Sequence, residues 1–194
     1  FLALRLDSKP MAKQYKHKFT SIILAAGKGT RMRSEVPKVL HPIAGRPMIG
    51  HVLAALSPLM PAKTTIVIAS GMEAVKTAAK AQMPGCSFAV QDKQLGTGHA
   101  VRAASQLLAA PGTVLVLFGD TPLLTTETLN KLLSERAEHQ AAIALLGMRP
   151  VNPTGYGRLV MDSEPWVDVI VECKDATPEE KKIPWVWGGV MAFD

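Results

Sequence analysis

Residues 21–48 read SIILAAGKGTRMRSEVPKVLHPIAGRPM. The stretch opens on β-branched and leucine side chains and passes through Ala25-Ala26-Gly27. It then carries Lys28, Arg31, Arg33, Lys38 and Arg46 against a single acid, Glu35. A short apolar run rich in β-branched residues, here TSIILAA from Thr20, predicts a buried strand. Glycines straight after a strand let backbone N–H groups approach an anion with no Cβ in the way. Two phosphate motifs are excluded. The P-loop needs two glycines separated by four residues and followed by Lys-Ser/Thr, which is absent. The dinucleotide fingerprint needs a third glycine where Met32 stands. A plain strand-to-loop turn with solvated basic residues remains the alternative for Gly27-x-Gly29 taken alone.

Working outward, the 194 residues suffice for a domain with a substantial core. Hydrophobic residues make up 47% and charged residues 20%, the balance of an ordinary globular protein. The net charge of +6 is unevenly placed. One cationic excess lies in residues 1–20 (Arg5, Lys9, Lys13, Lys16 and Lys18 against Asp7) and the other beside the glycine loop, while the remainder is slightly acidic. Nucleic-acid binding predicts a basic stripe elsewhere as well. A local cationic loop instead predicts a small, highly charged ligand, with no nucleic-acid partner and no membrane partner. No apolar run approaches the roughly 20 residues of a membrane helix. The opening FLALRL is too short for a signal-peptide core, so residues 1–18 read as a flexible extension with Met11 a candidate start. Two cysteines, Cys86 and Cys173, make no disulfide framework and fit a reducing, cytoplasmic setting.

From Thr20 the pattern alternates strand and helix. TSIILAA is the first strand, and Pro47 is the expected first residue of a helix running to about Leu56, ended by Ser57-Pro58. TTIVIAS is the second strand, residues 72–82 a helix, and SFAVQ the third strand. TGHAVRAASQLLA reads as one helix capped by Thr97. TVLVLFGD is the fourth strand, and its continuous apolar character suits a parallel sheet buried on both faces. TTETLNKLLSERAEH is a helix with Thr125 or Thr126 at its cap, and AAIALLGM a fifth strand. After Pro150 the style changes: GRLVMD and WVDVIVE predict a β-hairpin, and WVWGGVMAF a returning strand. The expected fold is α/β, a Rossmann-like, doubly wound, mostly parallel sheet with a small hairpin-containing part. Ligands of such sheets sit outside the carboxyl ends of the strands, where Gly27, Gln91 and Asp120 fall.

At these residues a resemblance emerges. LAAGKGTRM followed six residues later by Lys38 is similar to the signature of the sugar-nucleotide pyrophosphorylases. QDKQLGTGHA (91–100), NPTGYGR (152–158) and VECKDATPEE (171–180) narrow it. The four together resemble the N-terminal uridylyltransferase domain of the bifunctional enzymes that make UDP-N-acetylglucosamine, over about residues 20–190. The resemblance implies a nucleotidyltransferase domain over 19–194 that joins a nucleoside triphosphate, UTP first, to a sugar 1-phosphate, N-acetylglucosamine 1-phosphate first. It implies that Leu24, Ala25, Ala26 and Gly27 line the nucleotide, and that Gln91, Gly96 and Thr97 recognise uracil. Arg31 and Lys38 would hold the triphosphate, Asp120 would bind Mg2+, and Gly157 and Glu172 would contact the sugar.

The chain also departs from that pattern. Counted without gaps from Asp175, Trp187 falls where the family has a sugar-contacting Asn, and an indole lacks the paired donor and acceptor of an amide. The family's second metal-binding Asn has no counterpart among the residues up to Asp194. The family's hexapeptide-repeat β-helix, which carries acetyl transfer and trimerises, has no counterpart within these residues, so no oligomeric state is read. Cys173 follows Glu172 where a histidine is common, and Phe118 stands for a common tyrosine. A pyrophosphorylase for another sugar or nucleotide, and a non-catalytic nucleotide-binding paralogue, stay open as alternatives. Asp120 alternatively caps the turn at Gly-Asp-Thr-Pro. His41, His51 and His99 lack metal-like spacing and read as structural. Trp166, Trp185 and Trp187 read as packing residues.

Overall fold

The computed structural model describes residues 15–27, 29, 32–108 and 112–194; Leu107 and Leu108 are described as backbone. Most of the expected N-terminal extension, and Lys28, Thr30 and Arg31 of the glycine loop, lie outside the described residues. The chain forms two compact units. The larger takes in the described residues up to Ala144 together with Met191–Asp194, and the smaller holds Leu145–Val190.

In the larger unit the first strand is β1 (Phe19–Leu24). A two-residue pairing of β2 (Pro42–Ile43) with β3 (Arg46–Pro47) leads into α1 (Met48–Leu56). Then come β4 (Lys63–Ile68), α2 (Glu73–Gln82), β5 (Ser87–Val90), α3 (Thr97–Ala103) and the short α4 (Ser105–Leu108). Strand β6 (Thr113–Phe118) and helix α5 (Thr126–Glu138) follow. Four strands lie parallel in the order β5-β4-β1-β6, with Leu24 registered against Val67 on one side and Phe118 on the other. Strands β1, β4 and β6 are buried on both faces, as their continuous apolar runs require, while β5 is the partly exposed edge. Ile22, Leu24, Val67, Val114 and Val116 form one cluster with Ala100 and Ala104 beneath α3. The alternate residues Ile23, Ile66, Ile68, Leu115 and Leu117 point to the opposite face and are fully buried. Helix α1 packs against both α2 and α5. Cys86 is buried with this core, and burial pushes its thiol pKa up. Two pairs of strand hydroxyls meet across the sheet: Ser21 Oγ lies 2.8 Å from Thr64 Oγ1, and Thr65 Oγ1 lies 2.7 Å from Ser87 Oγ.

In the smaller unit β8 (Arg158–Ser163) and β9 (Trp166–Val171) form the expected antiparallel hairpin. Strand β10 (Val186–Phe193) returns beside β8, with Val186 opposite Arg158. The buried Arg158 guanidinium donates to the carbonyls of Pro153 (2.8 Å) and Tyr156 (2.5 Å), which fixes the NPTGYGR loop.

Four sequence expectations are corrected. Pro47 precedes α1: its ψ of 145° is extended because Pro47 pairs with Pro42 across the Ala44-Gly45 turn. Thr97 does not cap α3: Gly96, at φ 99° and ψ 179°, takes the cap position, and Thr97 is the first helical residue. The expected single helix over 97–109 breaks at Ala104, whose N–H bonds Val101 O in a tightened turn. Strand β7 (Ile143–Met148) does not extend the parallel set; it pairs with β10, and the C-terminal residues Met191–Phe193 run antiparallel to β6 instead. At α5 the expectation is met by Thr125, whose Oγ1 accepts from Thr128 N at 3.2 Å.

Candidate active site

The parallel strands end along one edge, and three of the loops leaving them enclose a cavity of about 510 Å³. After β1 come Ala25, Ala26, Gly27 and Gly29; after β5, Gln91, Gln94 and Gly96; after β6, Asp120. Each exit is set by a ladder bond beyond the strand's end: Ala25 N donates to Val67 O (2.8 Å), Gln91 N to Ile68 O (2.8 Å) and Gly119 N to Leu24 O (2.9 Å). The loops are thus continuations of the sheet, which gives them its rigidity.

Lys38 begins a short 3-10 turn over Lys38–Leu40, straight after the extended Pro37. Its Nζ forms an ion pair with Asp120 Oδ2 at 2.5 Å, with the side chains 40% and 26% exposed. The turn after β6 is closed by Thr121 Oγ1, which donates to Phe118 O at 2.8 Å. The carboxylate of Asp120 is engaged with Lys38.

Gly29 belongs here for a steric reason. Its φ is +61°, and a Cβ built on it would lie 2.7 Å from Lys38 Cβ. Gly29→Ala is therefore expected to push the Lys38 segment away from Asp120. Ligand affinity should fall by about tenfold while Tm drops by only a few degrees, as a binding titration beside calorimetry would record.

Nine of the residues singled out in the sequence line this one cavity: Leu24, Ala25, Ala26, Gly27, Lys38, Gln91, Gly96, Thr97 and Asp120. Arg31 lies outside the described residues. Gly157 and Glu172 belong to the smaller unit. There a Cβ added to Gly157 would lie 3.2 Å from Ile170 Cγ2 and 3.8 Å from Glu172 Cδ, and Gly157 O accepts from Trp187 N at 2.9 Å. Gln94, Met32, Val39, Ala100 and Phe118 also line the cavity and were not anticipated. Gln94 had a readable signal, a polar side chain inside the QDKQLGTGHA stretch. Its Nε2 donates to Ala26 O at 2.7 Å and ties the second loop to the first.

The histidines are held by neighbours. His41 Nε2 lies 3.2 Å from Val36 O, His51 Nε2 lies 2.8 Å from Ile43 O, and His99 Nδ1 lies 3.1 Å from Gln91 Nε2. Among the described residues no three His, Cys, Asp or Glu side chains cluster as a metal cage, and no helix is long and apolar enough to cross a membrane.

A cavity at the carboxyl edge of a parallel sheet, floored by glycine-loop backbone and charged at one side, defines an α/β nucleotide-binding domain. The chain belongs to the MobA-like NTP transferase domain family, which matches residues 21–174. It is 51% identical over 173 residues to the bifunctional protein GlmU of Parvibaculum lavamentivorans, covering 89% of this chain and 38% of that protein. To the bifunctional protein GlmU of Rhodospirillum rubrum it is 48% identical over 179 residues, covering 91% of this chain and 39% of that one. The chain thus spans well under half the length of these relatives. In fold it is similar to UDP-glucose pyrophosphorylase complexed with UDP-glucose (TM-score 0.74, 16% identity, 91% of this chain and 76% of that one). The apo form of UDP-glucose pyrophosphorylase gives the same TM-score, 0.74, at 15% identity over 91% and 77%.

Proposed function

We propose that this chain is a sugar-1-phosphate nucleotidyltransferase that takes UTP and N-acetylglucosamine 1-phosphate and releases pyrophosphate. The observation that carries the reading is the gathering of glycine-loop backbone, Lys38, Gln91 and Asp120 around one cavity. A phosphate oxygen of the sugar 1-phosphate attacks the α-phosphorus of the nucleotide. The bond from that phosphorus to the bridging oxygen of the leaving pyrophosphate breaks in line. The nucleophile is already ionised, so no general base is required. Both reactants are anions, and the barriers are mutual repulsion and alignment.

The chain's own groups address both. Lys38 meets the phosphate charge, and Arg31 has the same role by its place in the motif. Among the described residues the N–H groups of Ala26 and Gly27 have no acceptor, which suits them to phosphate oxygens. Gln91, Gly96 and Thr97 hold the base. Gly157 and Glu172 are the sugar-contacting residues of this proposal.

Mg2+ fits the donor set. It is commonly held by one or two carboxylates with phosphates and water rather than by a protein cage, and the cavity offers the Asp120 carboxylate. When bound, Mg2+ supplies neutralisation of the phosphate oxygens. The two free thiols and the nucleotide substrate suit a cytoplasmic setting.

The test is pyrophosphate release from the purified chain with Mg2+, UTP and a panel of sugar 1-phosphates. N-acetylglucosamine 1-phosphate is expected to be turned over. Silence across every nucleotide and sugar would leave a non-catalytic nucleotide binder. A second reading, another sugar phosphate on the same chemistry, is favoured by Trp187, whose backbone bonds Gly157. If the indole restricts the sugar, Trp187→Asn should raise the rate with N-acetylglucosamine 1-phosphate by about tenfold, the scale of one regained hydrogen bond. An unchanged rate would place Trp187 away from the sugar.

A further inference from the structure

We infer that His99 is a positioning residue that sets base specificity, by locking which end of the Gln91 amide meets the base. The inference rests on the reading of the cavity as a nucleotide site. Gln91 lines that cavity yet is only 5% exposed, so the orientation of its amide is set by protein partners.

Those partners are two acceptors on one nitrogen. Gln91 Nε2 lies 3.1 Å from Gly96 O and 3.1 Å from His99 Nδ1. An amide nitrogen has two hydrogens to give and accepts nothing, so both contacts are donations and both hydrogens are used. His99 Nδ1 is therefore the acceptor, and the imidazole proton sits on Nε2. Among the described residues nothing donates to Gln91 Oε1. What Gln91 can offer a ligand is acceptance through that oxygen.

The consequence for the base follows from its edge chemistry. Uracil and thymine carry a hydrogen on N3 and can donate to Oε1. Cytosine carries a lone pair there, and the two acceptors would repel. Turning the amide over would suit cytosine, but it would set Oε1 against both the Gly96 carbonyl and the imidazole lone pair. The backbone carbonyl supplies half of that lock and His99 the other half. His99 sits on the first turn of α3 and Gln91 just beyond β5, so the lock spans the loop between them.

The experiment is equilibrium binding of UTP and of CTP, each with Mg2+, to the full chain and its variants. The wild type is expected to prefer UTP. His99→Ala should lower the CTP-to-UTP ratio of dissociation constants by about tenfold, through weaker UTP binding, because roughly one hydrogen bond's worth of orientation is lost. His99→Phe keeps the ring volume without the acceptor and should show the same loss, which covers the case in which the alanine variant does not fold. His99→Asn, whose Oδ1 can replace Nδ1 as acceptor, should restore the preference. Equal weakening of both nucleotides, an unchanged ratio, or a wild type without preference overturns the inference alone. A wild type that binds neither nucleotide overturns the nucleotide reading and the inference with it.

Discussion

Asp120→Asn is expected to lower kcat for pyrophosphate release by at least about a thousandfold while leaving Tm within roughly 2 °C of wild type. The asymmetry follows from where the carboxylate sits. It lies in the cavity, ion-paired to Lys38, and both side chains are partly solvent-exposed. A pair so screened contributes about 1 kcal/mol or less to stability, so the neutral amide disturbs the fold little. The amide is nearly the same size, but on the proposed role of Asp120 it would hold Mg2+ poorly against two anionic substrates, and losing one preorganised electrostatic contact at a reacting centre commonly costs about 100- to 1,000-fold. Under that proposal, loss of the metal's ligand would add to the cost. Lys38 would also be released, so nucleotide binding measured in EDTA should not weaken. Wild-type turnover in this variant would remove Asp120 from the chemistry.

Leu117→Ala is expected to have the opposite profile. Leu117 is fully buried in β6, registered against the equally buried Ile23. Deleting most of a leucine in such a site costs about 2–5 kcal/mol, the lost transfer energy plus the cavity left behind. For a chain of this size that corresponds to a Tm lower by on the order of 10 °C. Urea unfolding should give a lower midpoint with an unchanged slope. A loss of unfolding free energy below about 1 kcal/mol would mean that the sheet's far face closes over the gap.

The parallel strands were legible because burial on both faces leaves an unbroken apolar run, and β1, β4 and β6 have just that character. The carboxyl ends of the parallel strands, β5 included, point in the sequence to Gly27, Gln91 and Asp120. Errors arose where local preference met a tertiary demand. Pro47 suits the first helical position, but the Ala44-Gly45 turn draws it into a strand pairing. Thr97 suits a cap, but Gly96 alone accepts the backbone angles found there. Strand β7 looked like the other strands because local pattern does not say which neighbour a strand will find, and the returning β10 took the place beside β6. In the cavity, Val39, Ala100 and Phe118 are apolar residues that the chain could equally have used as core. His99 read as structural because its partner is an amide, which leaves no trace in metal-ligand spacing.

The central position of β1 has a kinetic corollary. Both of its neighbours are synthesised after it, and Leu24 meets Phe118 only once the whole intervening chain has been threaded through helices. Closing so long a loop is entropically slow, so β1 should acquire its protection late in folding. Because the cavity floor extends directly from that strand, ligand competence and completion of the nucleus should arrive together, with no folded intermediate able to bind.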